Sequence, residues 1–203
     1  MAERGRPRAF DRRHVLEQAM NVFWSRGYEG ASLTALTQAM EINPPSLYAA
    51  FKNKEGLFRE ALEHYLTHHG AYRYDVLAEA PTAREGVELL LKETVTRFYS
   101  RYPARGCLVV LAALSGTPES QLIQDELSAQ RRETHRLIET RISQGLLDGD
   151  VPVGTSVETL SGFYTTVMFG LSVQAKDQVP YEQMIAFVET SMGVWPKVPL
   201  ATS

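Results

Sequence analysis

Cysteine is almost absent from this 203-residue chain. Cys107 is the only one, so no intrachain disulfide can form. Long apolar runs are absent too, since none approaches the roughly eighteen residues of a membrane span. The N-terminus is polar and basic with no apolar segment behind it, which reads against a secretory signal. A cytoplasmic protein with no membrane partner is expected. The signatures of the common catalytic sites are also missing: Gly-x-Ser-x-Gly, a P-loop, a dinucleotide fingerprint and His-Glu-x-x-His. His64 and His68 have the two-histidine spacing of the last, but Tyr65 stands where its catalytic Glu would be. Neither an enzyme nor a cofactor is expected.

An overall basic charge is likewise missing. The net charge is −3, which on its face argues against a nucleic-acid protein. Its distribution argues the other way. Residues 1–60 carry +2 and residues 61–203 carry −5, and the first thirteen residues hold five Arg against Glu3 and Asp11. An acidic body with a basic end would orient the molecule on DNA.

With 44% hydrophobic and 22% charged residues, the chain can form one or two globular domains with a real core. The most informative stretch is Leu33 to Phe51. Leu33, Leu36, Ala39 and Met40 fall on one helical face, and Ser32 can cap it. Asn43 offers a second cap, and Pro44 follows at the first helical position, where its missing N–H costs nothing. Leu47, Tyr48 and Phe51 resume the pattern. Two short helices joined by a tight turn are a helix-turn-helix, whose second helix enters the major groove of DNA. Spacing alone leaves open a plain helical hairpin in a core. The arm Arg4-Gly5-Arg6-Pro7-Arg8 upstream, and the lysines around the Asn53 cap downstream, add phosphate-seeking groups.

The run Phe23, Gly27-Tyr28, Ser32-Leu33, Leu36, Leu47-Tyr48, Phe51, Lys54-Glu55, Leu57-Phe58 resembles the N-terminal domain of the TetR/AcrR transcriptional regulators. The resemblance covers roughly the first sixty residues. The remainder resembles that family only in length and helical character. The family usually has Gly in the helix-turn-helix turn, where this chain has Glu41. A left-handed Glu would cost about 1 kcal/mol, so the turn is expected either to bear that cost or to use another dihedral. Pro44-Pro45 replaces the usual polar-Gly pair and changes the side chains offered to the bases, so the family does not supply the operator sequence.

The resemblance implies double-stranded DNA as partner and assigns contacts residue by residue. Ser32 and Thr34 would bond phosphate. Pro45, Ser46 and Ala49 would face base edges. Tyr48 would give its hydroxyl to phosphate and its ring to packing. Lys52 and Lys54 would neutralise phosphate, and Arg4, Arg6 and Arg8 could enter a neighbouring minor groove. With only Ser46 able to read bases by hydrogen bonds, backbone contacts and DNA shape should carry much of the specificity.

Along the chain, Asp11 caps a helix over about 11–26, with Leu16, Ala19, Met20, Phe23 and Trp24 inward and Gly27 at its end. A long helix from Asn53 to about 78 shows Phe58, Leu62, Tyr65, His69, Tyr72 and Val76 on one face and would be shared by both halves. Thr82 and Glu85 form a capping box for a helix to about 101, with Val87, Leu90, Leu91, Thr94, Phe98 and Tyr102 on its apolar face. The eight apolar residues Cys107 to Leu114 read as a short buried helix, with a strand as the alternative. Thr117 and Pro118 start a helix to about 144, with Leu122, Ile123, Leu127, Leu137, Ile138 and Ile142 inward and Arg131, Arg132 and Glu133 outward. Thr155 and Glu158 suggest a second capping box, and Pro180 opens the last helix.

The expected fold is therefore all-α: a three-helix helix-turn-helix DNA-binding domain with its basic arm over 1–58, and a larger helical ligand-binding and dimerisation domain over 59–203. The last two helices are apolar on more than one side. That fits a central core or a two-fold dimer interface, and the resemblance favours a homodimer through Leu160, Val167, Leu171, Met184 and Val188. Phe98, Tyr99, Tyr102, Cys107, Tyr164 and Met168 are candidates to line a cavity for a small-molecule effector, or are simply core. His64, His68 and His69 could hold a metal or be a solvated face, and Cys107 could be a thiol sensor or inert core. The implied function is a ligand-responsive repressor. A metal- or redox-responsive regulator, an activator of the same fold and a helical interaction module are the alternatives.

Overall fold

The computed structural model describes residues 11–100 and 104–197, and helices account for all of their regular structure. Arg4, Arg6, Arg8 and Tyr102 lie outside these residues. Among the described residues no helix is long and apolar enough to cross a membrane.

Helix α1 (Arg12–Gly30) starts at Asp11, whose carboxylate accepts from the N–H groups of Arg13 and His14. It is broken at Gly27, whose φ of 72° leads the chain into Tyr28. The N–H of Tyr28 then donates to Ala112 O at 2.7 Å. A Cβ at position 27 would stand 3.0 Å from that same carbonyl oxygen, so glycine serves both the dihedral and the close approach. Val15 takes the buried place expected for Leu16, which is only partly covered.

Helices α2 (Leu33–Ala39) and α3 (Pro44–Phe51) start at Ser32 and Asn43, which accept from Ala35 N and Ser46 N. Helix α4 (Lys54–Tyr65) is capped by Asn53 through Gly56 N. Phe23, Tyr28 and Phe58 knit this head together, with Phe58 edge-on to the other two rings at 4.9 and 5.2 Å. The turn between α2 and α3 is left-handed at Glu41, φ 54°, which settles the dihedral there.

The long shared helix is not uniformly α. After α4 the backbone makes one π turn over Leu66–Gly70 before α5 (Tyr72–Glu79) continues in the same direction. A π turn holds one extra residue. The buried stripe therefore moves from the expected 69, 72 and 76 to Gly70, Arg73 and Leu77.

Helix α6 (Ala83–Tyr99) begins with the Thr82 cap, whose hydroxyl accepts from Glu85 N and donates to the Glu85 carboxylate. The apolar run makes a single helical turn, α7 (Leu108–Leu111). Pro118–Ser120 is a 3₁₀ turn leading into α8 (Gln121–Asp148). The Thr117 hydroxyl caps nothing and donates to Glu29 instead. Leu122, expected inward, is exposed. Arg131, expected outward, is partly buried and donates to Val109 O at 3.0 Å. Helix α9 (Val157–Lys176) is capped by Ser156 rather than Thr155, and α10 (Tyr181–Met192) follows Pro180.

Two apolar clusters result. One joins the head to α7 and the start of α8. The other fills the body between α5, α6, α8, α9 and α10. Cys107 packs against both.

Candidate nucleic-acid interface and effector cavity

Leu47 and Phe51 anchor α3 to the head, and that burial decides what the helix shows to the outside. Pro45, Tyr48 and Ala49 are exposed and Ser46 is half-buried. The Tyr48 side chain, its ring expected to pack and its hydroxyl to reach phosphate, is 47% exposed, so about half of it is presented outward. Ser32 and Thr34 are exposed at the start of α2. Lys52 is exposed and takes φ 68°, which breaks α3 and turns the chain into the Asn53 cap. Lys54 differs. Its ammonium lies 4.5 Å from the centre of the Tyr28 ring and donates to Glu29 O at 3.5 Å. Burial pulls its pKa below the usual lysine value. The face is thus a short apolar and hydroxyl-bearing ridge with a cation at its end, a shape that fits a groove lined by phosphate.

Behind the head, where α4 becomes α5, lies a cavity of about 70 Å³. Trp24 and Tyr65 line it from the head side, Thr94, Phe98 and Met168 from the body, with Cys107 between them. Of the expected lining residues, Phe98, Cys107 and Met168 are there. Tyr99 and Tyr164 are not: the Tyr99 hydroxyl donates to Val179 O, and the fully buried Tyr164 donates to Ser191 O at 3.2 Å. Sequence reasoning missed Trp24, Arg73, Thr94 and Arg97. Arg73 left one signal, a charge beside an apolar stripe, which the π turn then rotates inward.

Within the cavity wall the Tyr65 hydroxyl donates to Cys107 Sγ at 3.4 Å, and the Tyr72 hydroxyl is 2.7 Å from Thr94 Oγ1. Burial raises the pKa of both phenols, that of Tyr72 to about 12. Both therefore stay protonated near neutral pH. Trp24 donates to Gly106 O at 2.9 Å and tethers head to body across the cavity rim.

His64 and His68 lie with ring centroids 4.1 Å apart, but His68 Nδ1 faces the His64 carbonyl oxygen at 2.9 Å. His69 points elsewhere, against Trp24 and Tyr65. Among the described residues no three His, Cys, Asp or Glu side chains come together as metal ligands would.

On α9 and α10 the residues expected at a dimer interface divide. Met184 and Val188 are wholly buried within the chain, and Leu160 and Leu171 nearly so. These are core, covered by α6 and by each other's helices. Val167 alone is part of the outer surface, where it joins Phe163 and Phe187, each 38% exposed, and Val194.

Comparison with known proteins agrees with this layout. The family model for bacterial regulatory proteins of the tetR family matches residues 15–61. The transcriptional repressor ComR of Escherichia coli (strain K12) is 29% identical over 96% of this chain and 93% of its own length. The repressor BdcR of the same organism is 30% identical over 90% and 87%. A solved structure of the TetR family regulator CifR, a cysteine mutant complexed with 26-base-pair double-strand operator DNA, superposes with a TM-score of 0.91 at 64% identity. That match covers 94% of this chain and all of the CifR chain. The chain belongs to the TetR family of bacterial transcriptional regulators.

Proposed function

We propose that this protein is a cytoplasmic repressor of transcription that binds a palindromic operator in double-stranded DNA as a homodimer and releases it when a small molecule enters the cavity behind α4. The observation that carries the reading is the outward edge of α3. Pro45, Tyr48 and Ala49 stand free while Leu47 and Phe51 fix the helix to the head. The working division of the chain falls near residue 58, with Ser32, Thr34, Pro45, Ser46, Tyr48, Ala49 and Lys52 on the DNA side. Lys54 acts there by holding Tyr28 and the turn before α4. The apolar surface of Phe163, Val167, Phe187 and Val194 pairs with its copy, which sets two α3 helices at a fixed spacing.

Release follows from where the cavity lies. A ligand there bears on Trp24 and Tyr65 on one side and on Phe98 and Met168 on the other. Any differential contact with two head positions shifts the spacing of the α3 pair, and affinity falls steeply because both half-sites must be held together.

The test is selection of bound fragments from the source genome at two salt concentrations, read by sequencing. A short palindrome whose affinity falls steeply with salt is expected. Lys52→Ala should weaken binding to all fragments alike and reduce the salt slope by about one. Recovery of no common sequence by folded, dimeric protein would overturn the reading.

A second reading of the effector's chemistry rests on Cys107. Its thiol is partly exposed in the cavity wall with the Tyr65 hydroxyl on its sulfur. A thiol so placed meets whatever enters, and an electrophile would be captured covalently. Iodoacetamide tests it. The sulfur displaces iodide, the thiol proton goes to solvent, and operator release should follow in the wild type and not in Cys107→Ser.

A further inference from the structure

We infer that the cavity is a receptor for a small carboxylate, anchored by the buried guanidinium of Arg73. This deepens the effector reading proposed above and rests on it.

Arg73 is only 7% exposed. Its Nε donates to Gly70 O at 2.9 Å and its Nη1 to Thr134 Oγ1. Both acceptors are neutral. Among the described residues no carboxylate lies within ion-pair distance of Arg73; Glu133, held by Arg136 at 2.7 Å, acts on it only through space, and no hydrogen bond is made by its Nη2. Gly70 keeps that edge clear, since a Cβ there would stand 3.3 Å from Nη2. Buried cations are normally paired, because desolvation is costly. Arg73 is buried, half-bonded and part of a cavity wall.

The rest of the wall does not supply the missing anion. None of its residues is Asp or Glu, and Tyr65 and Tyr72 stay protonated. Arg97, the other arginine of the wall, is already satisfied, lying 4.2 Å over the Tyr72 ring with Glu93 at 2.9 Å. No anion of the described residues therefore bonds the Nη2 edge of Arg73, and Glu133 offsets its charge only from a distance. A carboxylate matches the free edge of a guanidinium in shape. Trp24, Phe98 and Met168 offer apolar surface to whatever the carboxylate carries. Size limits that tail. The cavity of about 70 Å³ is under half of the roughly 150 Å³ that holds a benzene ring. Acetate or propionate fits, and an aromatic acid does not.

The experiment uses the full chain. Sodium propionate and propionamide are titrated at ionic strength held constant with sodium chloride, read by tryptophan emission and by melting temperature. Propionate should give a saturable emission change and a higher melting temperature, and the amide neither. Arg73→Met should weaken the propionate response at least about 10-fold, the loss expected for a charge-assisted bond. Arg73→Lys should weaken it less, and Phe187→Ser, outside the cavity, should leave it unchanged. If Arg73→Met does not fold, Gly70→Ala, which crowds the Nη2 edge, should show the same loss. No saturable response to acetate or propionate overturns the inference. So does an equal response to the amide, or an undiminished one in the Arg73 or Gly70 variant. Operator binding is measured alongside without ligand: its absence refutes the repressor reading, whereas its presence without a carboxylate response refutes this inference alone.

Discussion

Glu41→Gly should make the protein more stable, although it removes a side chain. Glu41 has φ 54° and is exposed, and its side chain makes no hydrogen bond or ion pair among the described residues. Its backbone N–H donates to Gln38 O at 3.2 Å, and that of Ile42 to Thr37 O at 3.1 Å. Position 41 is thus held left-handed by its neighbours' bonds and not by its own side chain. A Cβ in that region costs about 1–2 kcal/mol. Glycine gives back about 0.4–1 kcal/mol through the freer unfolded chain. The net gain is about 0.5–1 kcal/mol, or about 1–4 °C in melting temperature for a chain of this size. Glu41→Ala keeps the Cβ and should stay within about 0.5 kcal/mol of the wild type. Urea unfolding of all three proteins at one fixed concentration, with unchanged m-values, measures this. A Glu41→Gly protein less stable than Glu41→Ala would refute the argument that the turn carries backbone strain.

Phe163→Asp should leave a folded monomer, because the ring is 38% exposed and outside the core; sedimentation at micromolar concentration that still shows a dimer would refute the interface. His64 has its pKa lowered by burial first and by the His68 charge second. The unfolded chain therefore binds the proton more readily, so stability should rise with pH through the window just below 6.5, and His64→Gln should flatten that rise in melting temperature. Phe23→Ala removes the ring stacked on Tyr28 and set edge-to-face with Phe58 and should cost about 3–5 kcal/mol in chemical unfolding.

What was legible in the chain beforehand was local. Asp11, Ser32, Asn43, Asn53 and Thr82 all cap the helices they precede, because a cap needs only its next three residues. Thr117 and Thr155 mimic that pattern and do not cap. Thr117 is taken by Glu29, and Ser156 stands one residue nearer the start of α9. The apolar stripes of α9 and α10 were correctly placed on their helices, but a stripe does not say what covers it. Met184 and Val188 are covered from within the chain, and the surface left for a partner is the weaker stripe of Phe163, Val167 and Phe187. The cavity was half legible. Phe98, Cys107 and Met168 stood out as large or polarizable residues in the body, whereas Trp24 and Arg73 reach it only through tertiary placement and a backbone irregularity that side-chain periodicity does not encode.

That irregularity, the π turn at Leu66–Gly70, fixes the angular setting of the two ends of one rod. In an α-helix each residue advances the axis by about 1.5 Å and turns it by about 100°. Closing the π turn into an ordinary α turn, with the number of residues unchanged, would barely alter the length of the rod. It would, however, swing Arg73 and Leu77 about a quarter-turn out of the body and bring Tyr72 and Val76 in. The connector between head and body therefore behaves less like a spacer than like a keyed shaft, tolerant of changes on its surface and intolerant of a change in how that one turn is wound.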